Sequence, residues 1–365
     1  MLRVVQAYDR SPITELPTQN AADLERMLEA ASRAFKDRAG WLKPFQRLAI
    51  LQRLTELMAP ELDNLAMLIA REGGKPLPDA RVEAGRALDG VRDAIAHLRV
   101  DHGKEVPMGL SAGADNRLAF TIREPIGVVA AVSAFNHPLN LIVHQIVPAI
   151  AVGCPVIVKP ASATPLCCRE LVRLVHEAGL PEPWCQMFLP EATALAETMV
   201  TDPRVAFFSF IGSARVGWSL HGKLAHGTRS ALEHGGVAPA IVDKSADLDR
   251  IIEPMVKGGY YHAGQVCVST QRIFVHRDIK DEFLARYTKR VAALRVGDPT
   301  LAETEVGPLI QPKEVDRVAS WIDEAMGLGA GMLVGGKRLG ETTYAPTVLD
   351  QPPLDAKVST EEVFG

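Results

Sequence analysis

A thiol, a carboxylate and an amide stand at breaks in the apolar runs of this sequence. Cys267 closes Gly264-Gln265-Val266-Cys267, where a helical segment breaks at Gly264; Glu233 ends Ala231-Leu232-Glu233 before His234-Gly235-Gly236; Asn136 ends Ser133-Ala134-Phe135-Asn136 before His137-Pro138. A thiol with a pKa of about 8.5 is only a few per cent thiolate at neutral pH, so a nucleophilic Cys267 needs an electropositive or hydrogen-bonding setting. A carboxylate such as Glu233, within reach of one water, is a general base. Each residue has a plainer alternative. A single cysteine in an apolar protein is usually a small hydrophobe, an isolated glutamate a surface group, and an Asn just before a Pro a helix N-cap. Cys154, Cys167, Cys168 and Cys185 take the first of these readings.

Two more strand ends carry residues suited to phosphate. Lys159-Pro160-Ala161-Ser162 follows one apolar run, and Gly212-Ser213 follows another just before a helix that starts at Ala214. A Gly-Ser pair at a helix N-terminus offers free N–H groups, a hydroxyl and the positive end of the helix dipole. Taken singly these are a helix cap and a solvated lysine; at neighbouring strand ends they suit a dinucleotide, although no GxGxxG is present.

The elements that must position these groups follow from periodicity. From Asn20 to about Val100 apolar residues recur at helical intervals, punctuated by Gly73, Gly74 and Pro76. A segment around 105–124 looks like two short strands about a Gly/Asp/Asn turn. From there strand and helix alternate, through GVVAAVSAF, PLNLIVHQIVPAIAVG, PVIVKP and TPLCCRELVRLVHEAG to VAFFSFIG and SARVGWSLHGKLAHG. Strands that read as continuous apolar runs predict a parallel sheet covered on both faces. A second α/β series starts near Gly236.

Composition sets the bounds. The 365 residues are 47 % apolar and 23 % charged, which predicts an ordinary folded protein of two or three domains. Forty Lys and Arg against forty-four Asp and Glu, with no long run of one sign, argue against nucleic acid or an anionic membrane as partner. The most apolar window, 139–158, holds Asn140, His144, Gln145, Pro148 and Pro155 and is no membrane span. The N-terminus lacks the pattern of a signal peptide. Five irregularly spaced cysteines predict neither a disulfide framework nor a metal site, and point to reduced thiols in the cytoplasm.

Taken together, FNHP, KPAS, FIGS, LEHGG, GQVC and EEVFG stand in the order and approximate spacing of the aldehyde dehydrogenase superfamily, which the chain resembles over essentially its whole length. The resemblance implies an α/β fold of two Rossmann-like doubly wound domains plus a small β oligomerisation element. It places a cofactor-binding domain at 1–103 and 125–235, an oligomerisation hairpin at 104–124, and a catalytic domain at 236–365, incomplete at its C-terminus. It implies NAD(P)-dependent oxidation of an aldehyde through a Cys267 thioester that Glu233 and water hydrolyse, with the Asn136 amide and the Cys267 N–H as oxyanion donors. Removing one such donor typically costs about 2.7–4 kcal/mol of barrier. Lys159 then meets the adenosine ribose, Gly212 and Ser213 the pyrophosphate, and Glu362 and Phe364 the nicotinamide ribose. A homo-oligomer, dimer or tetramer, is implied as well.

Departures from the family pattern carry their own expectations. Ser162 stands where many NAD-specific members carry Glu, so repulsion of a 2′-phosphate is absent and NADP is allowed alongside NAD. His137, Asn140 and His144 fall where the family's substrate tunnel is usually aromatic or apolar, which suggests a short, polar or anionic aldehyde; solvent or a subunit interface is the alternative setting for them. The family continues beyond EEVFG while this chain stops at Gly365, so a fragment or a truncated product is expected, with Glu362 and Phe364 near a fraying end. A CoA-acylating semialdehyde dehydrogenase and a catalytically silent homologue are the rival readings; Glu233 argues against the first, because acyl transfer to CoA needs no base for water.

Overall fold

The chain opens with a hairpin, β1 (Leu2–Val5) and β2 (Pro12–Leu16), in a region where the sequence shows no strand pattern. The strands are only four and five residues long, and their inward residues Val4 and Leu16 are defined by packing on the distant Leu166 and Leu189. The computed structural model describes residues 1–365. Its helical N-terminal third comprises α1 (Ala21–Lys36), α2 (Pro44–Met58), α3 (Leu62–Gly73) and α4 (Leu77–Leu98). A reciprocal cap starts α1: Asn20 Oδ1 accepts from the N–H groups of Ala22 and Asp23, and Asp23 accepts from the Asn20 N–H.

The segment between 104 and 124 forms an antiparallel pair, β3 (Glu105–Val106) and β4 (Ala119–Phe120). A five-stranded, wholly parallel sheet follows. Its elements are β5 (Val128–Val132), α5 (Asn140–Val152), β6 (Val156–Lys159), α6 (Leu166–Glu177), β7 (Cys185–Met187), α7 (Thr193–Thr201), β8 (Val205–Ile211), α8 (Ala214–His221) and β9 (Arg229–Glu233). The spatial order β7-β6-β5-β8-β9 reverses direction at β5, and the crevice beyond β5 and β8 is where a doubly wound sheet receives its ligand. Continuous burial of Val128, Val129, Ala130 and Ala131 in β5 reflects cover on both faces. The last helix of this series ends at His221, shorter than the apolar pattern suggests, because Gly222 caps it.

A second α/β unit holds the parallel pair β10 (Ala240–Val242) and β11 (Ile273–Val275), joined through α9 (Leu248–Tyr260). Beyond them come α10 (Lys280–Ala292), α11 (Pro312–Gly327), the antiparallel strands β12 (Gly331–Val334) and β13 (Val348–Asp350), and α12 (Lys357–Thr360). The architecture is α/β with Rossmann-like strands and helices and small accessory sheets. All five cysteines are unpaired, and no helix is long and apolar enough to cross a membrane.

Carboxylates from the helical N-terminal third fix the sheet helices. Glu72 in α3 accepts from the N–H groups of Leu166 and Cys167 at 2.8 and 2.9 Å, capping α6; burial pushes its pKa up to about 7. Glu83 in α4 accepts from the N–H groups of Leu139 and Asn140 at 3.0 and 3.2 Å, capping α5, while its other oxygen pairs with the ammonium of Lys75. Both members of that ion pair are fully buried. Gly74, at φ +76°, ends α3 in the left-handed region and turns Lys75 inward; a Cβ there would lie 2.7 Å from Pro308. Removing one partner of a buried pair strands the other charge, so Glu83→Ala is expected to cost about 3–5 kcal/mol. The urea midpoint followed by circular dichroism checks this, and Lys75→Met combined with Glu83→Leu should recover part of the loss.

Candidate active site

Strand ends of the five-stranded sheet bring the candidate residues to one edge. Beyond β5 lies Asn136, only 4 % exposed. It does not cap α5, as the simplest sequence reading allows: the helix begins after Leu139, and Glu83 occupies its first N–H groups. Its amide is thereby released for other use. At the end of β6, Lys159 is largely desolvated, which lowers its pKa, and its ammonium donates only to the carbonyl of Pro160 at 3.0 Å. Ser162 lies exposed a few residues on. Ser213 sits at the N-cap of α8 with its hydroxyl making no capping hydrogen bond. A Cβ on Gly212 would meet the Phe210 ring at 2.9 Å, so only glycine brings the backbone this close.

The turn that leads to Cys267 is the one run of three consecutive positive-φ residues in the molecule. The helix ends at Tyr260, before the break at Gly264 that the sequence suggests, and His262, Ala263 and Gly264 adopt φ of 50°, 55° and 74°. Left-handed L-residues cost about 1–2 kcal/mol each, so something must hold them. Gln265 does so: its buried amide donates to the carbonyls of His262 and Pro308, both at 3.2 Å, and accepts from the N–H of Ile310 at 2.9 Å. The turn therefore presents Cys267, the only exposed cysteine of the five. Burial, then the carboxylates of Glu233 and Glu362, push its thiol above the ordinary range, while the N–H groups of Cys267 and Val268 act the other way. Glu233, exposed at the end of β9, is thus within electrostatic reach of the thiol.

Residues 357–365 close over this region. Gln271 donates to the carbonyls of Val358 and Glu361 at 2.9 and 2.8 Å and accepts from the N–H of Val363 at 2.9 Å. Gln271 thereby ties to the rest of the fold the segment that the sequence marks as a fraying end. Glu362 lies against Gly235, where a Cβ would collide with its carboxylate, and one of its oxygens is buried without a partner. Phe364 meets Phe135 edge-on at 5.8 Å, next to Asn136. Neither Gln265 nor Gln271 is singled out by the sequence reading; a glutamine two residues before the candidate nucleophile was the available signal for the first.

The three tunnel candidates separate. His137 packs on Tyr261 at 6.0 Å, and burial together with the charges of Lys75, Arg86 and His144 lowers its pKa to about 3, so its ring is neutral. The Oδ1 of Asn140 is buried without a partner. His144 is exposed beside Gly90 of α4. A cavity of about 520 Å³ lies behind the turn before Cys267, among residues of α10, α11, β11 and β13; Cys267, Glu233 and Asn136 do not line it.

A doubly wound parallel sheet joined to a second α/β unit that exposes a thiol is the architecture shared with solved dinucleotide-dependent oxidoreductases. The aldehyde dehydrogenase family profile matches residues 1–365. The 3-sulfolactaldehyde dehydrogenase of Priestia megaterium is 35 % identical over 364 residues, which is 100 % of this chain and 75 % of that protein. Among solved structures, aldehyde dehydrogenase 21 from Physcomitrella patens, in complex with the reaction product succinate, superposes with a TM-score of 0.95 at 32 % identity, covering 100 % of this chain and 75 % of that one. Glyceraldehyde-3-phosphate dehydrogenase from Methanocaldococcus jannaschii, complexed with NADP, gives 0.94 at 31 % identity, covering 100 % and 79 %. The chain belongs to the aldehyde dehydrogenase family, and it oxidises an aldehyde to a carboxylate with NAD or NADP. It spans about three quarters of the length of these relatives.

With four thiols buried and Cys267 exposed, iodoacetamide should alkylate the native protein once, at Cys267, in peptide mass spectra. Its rate should climb steeply above pH 8, and Glu233→Gln, by removing a like charge, should lower the thiol pKa and speed alkylation at pH 8.

Proposed function

We propose that the chain oxidises a small anionic aldehyde through a thioester on Cys267, which water activated by Glu233 then hydrolyses. The observation that carries this reading is the single exposed thiol within electrostatic reach of a strand-end carboxylate. The Cys267 thiol gives up its proton to solvent and its sulfur adds to the carbonyl carbon. The oxygen becomes an alkoxide held by the Asn136 amide and the Cys267 N–H. Bound NAD or NADP supplies the hydride acceptor. Glu233 next takes a proton from the water that attacks the thioester, and collapse of the adduct releases the carboxylate and the Cys267 sulfur.

The residues present suit that cofactor. Lys159, poorly partnered, and Ser162 stand where a ribose would lie; Gly212 and Ser213 with the open N-terminus of α8 suit a diphosphate; Glu362 and Phe364 suit the nicotinamide ribose. Ser162 carries no charge to repel a 2′-phosphate. In this reading 1–103 and 125–235 bind the cofactor, 236–365 carries the nucleophile, and the 104–124 hairpin, with Leu110, Leu118 and Phe120 exposed, joins copies of the chain. A free thiol nucleophile suits the reducing cytoplasm.

The substrate class rests on the guanidinium of Arg86 near the His137 ring. Arg86 and His144, both exposed, stand close enough to His137 to act on its charge. The relatives named above act on sulfonate- and phosphate-bearing aldehydes or yield a dicarboxylate, as their names state. In an absorbance assay of NAD(P)H, aldehydes carrying a carboxylate, sulfonate or phosphate should give kcat/KM at least tenfold above alkyl aldehydes of equal length, and Arg86→Met should narrow the gap. Equal values for both classes would overturn this substrate class.

The mechanism has a separate test. Cys267→Ala should abolish aldehyde oxidation and leave dinucleotide binding nearly intact. Glu233→Gln should keep a rapid first burst of NAD(P)H while slowing turnover at least a hundredfold, because the thioester forms and persists. Burst and turnover falling together would remove Glu233 from the deacylation step.

A further inference from the structure

His234 follows the proposed base directly, and its ring is neither a surface group nor part of the chemistry described above. Its Nδ1 donates to the carbonyl of Gly212 at 2.9 Å; since a carbonyl only accepts, Nδ1 carries the proton. The Gly212 N–H in turn donates to the Glu233 carbonyl at 3.1 Å. Both backbone groups of Gly212 are therefore held by consecutive residues of another strand end. The imidazole is wedged between Phe210, at 5.9 Å, and Trp218, at 6.1 Å. Gly217 makes room for it: a Cβ there would stand 2.4 Å from its Cε1. Its Nε2 is buried and has no partner, a cost accepted for the sake of the Nδ1 contact.

We infer that His234 is a positioning residue that fixes the Gly212-Ser213 turn in its diphosphate-receiving form and so sets the affinity for NAD or NADP. The inference rests on the reading of Gly212 and Ser213 as the phosphate site. Without the imidazole donor the Gly212 carbonyl is unpaired and the turn is free to rotate its peptide, which scatters the N–H groups at the start of α8. The Gly212 N–H bond to Glu233 survives, so the base stays in place and the chemical step is spared.

The test compares His234→Leu, which removes the donor, and His234→Gln, which carries it one methylene beyond the Nδ1 position, with His234→Asn, whose Nδ2 overlays the imidazole Nδ1 and restores it. Dissociation constants for NAD and NADP come from calorimetric titration of the full chain, kcat and KM from the NAD(P)H assay, and folding from circular dichroism. His234→Leu and His234→Gln should raise Kd and KM for the dinucleotide about tenfold, the worth of one ordering hydrogen bond, with kcat at saturation within about twofold. His234→Asn should stay within about twofold of the parent in all three. Should the leucine variant fail to fold, the glutamine and asparagine pair gives the same contrast. An unchanged Kd in the leucine and glutamine variants, or an asparagine variant as weak as they are, overturns the inference. Ser213→Asp separates this from the reading beneath it, because a carboxylate there repels a diphosphate. If it weakens binding while His234→Gln does not, only the inference falls; if it leaves binding unchanged, the phosphate site itself lies elsewhere.

Discussion

One carboxylate ties the helical N-terminal third to the reacting edge of the sheet. Glu83 neutralises the buried ammonium of Lys75 with one oxygen and caps α5 with the other. Lys75 also lies over the ring of Tyr261 at 5.6 Å, the residue at which α9 gives way to the nucleophile turn. The strand end that carries Asn136 and the turn that carries Cys267 thus share a single desolvated ion pair. A buried pair of this kind adds little net stability over apolar residues, but it punishes any rearrangement that would leave one charge alone. Reacting groups that must stay within a fraction of an ångström of their working geometry gain from such a constraint.

The nucleophile turn shows the same economy of means. Its left-handed residues are held by the amide of Gln265, which makes three hydrogen bonds inside the fold, and a carbonyl from Gly365 sits close to Gly264. Strain at His262 and Ala263 is offset by interactions that reach 43 to 45 residues along the chain. The thiol so presented is protonated at rest, because burial and two carboxylates disfavour the thiolate. Reaction then requires loss of that proton, and Glu233 is the carboxylate that opposes it the most. The carboxylate that keeps the thiol protonated at rest is the one proposed as the base for the deacylating water.

The proposed cofactor turn and the proposed base are coupled through backbone rather than through side chains alone. The Gly212 peptide bridges the turn before α8 to β9, and Glu362 fills the space above Gly235. Side chains of Phe210, His234 and Glu362 stand where a Cβ at 212, 217 or 235 would go, so the spacing of LEHGG against FIGS reflects packing across two strand ends.

Several of these features were legible in the sequence because they depend on local pattern. Continuous apolar runs alternating with amphipathic helices reflect a sheet covered on both faces, and residues at strand ends mark where ligands go. The motif order places Asn136, Glu233 and Cys267 at such breaks, since strand ends must be followed by turn residues of particular types. What pairs across long separations was not legible. The order β7-β6-β5-β8-β9, the hairpin of β1 and β2, the release of Asn136 from capping by Glu83 and the pinning of residues 357–363 by Gln271 all depend on which distant groups meet. Periodicity reports which face of an element is apolar, and it carries nothing about the partner that covers that face. Tertiary structure decided the partners, because hydrogen bonds and buried charges are satisfied in space and not along the chain.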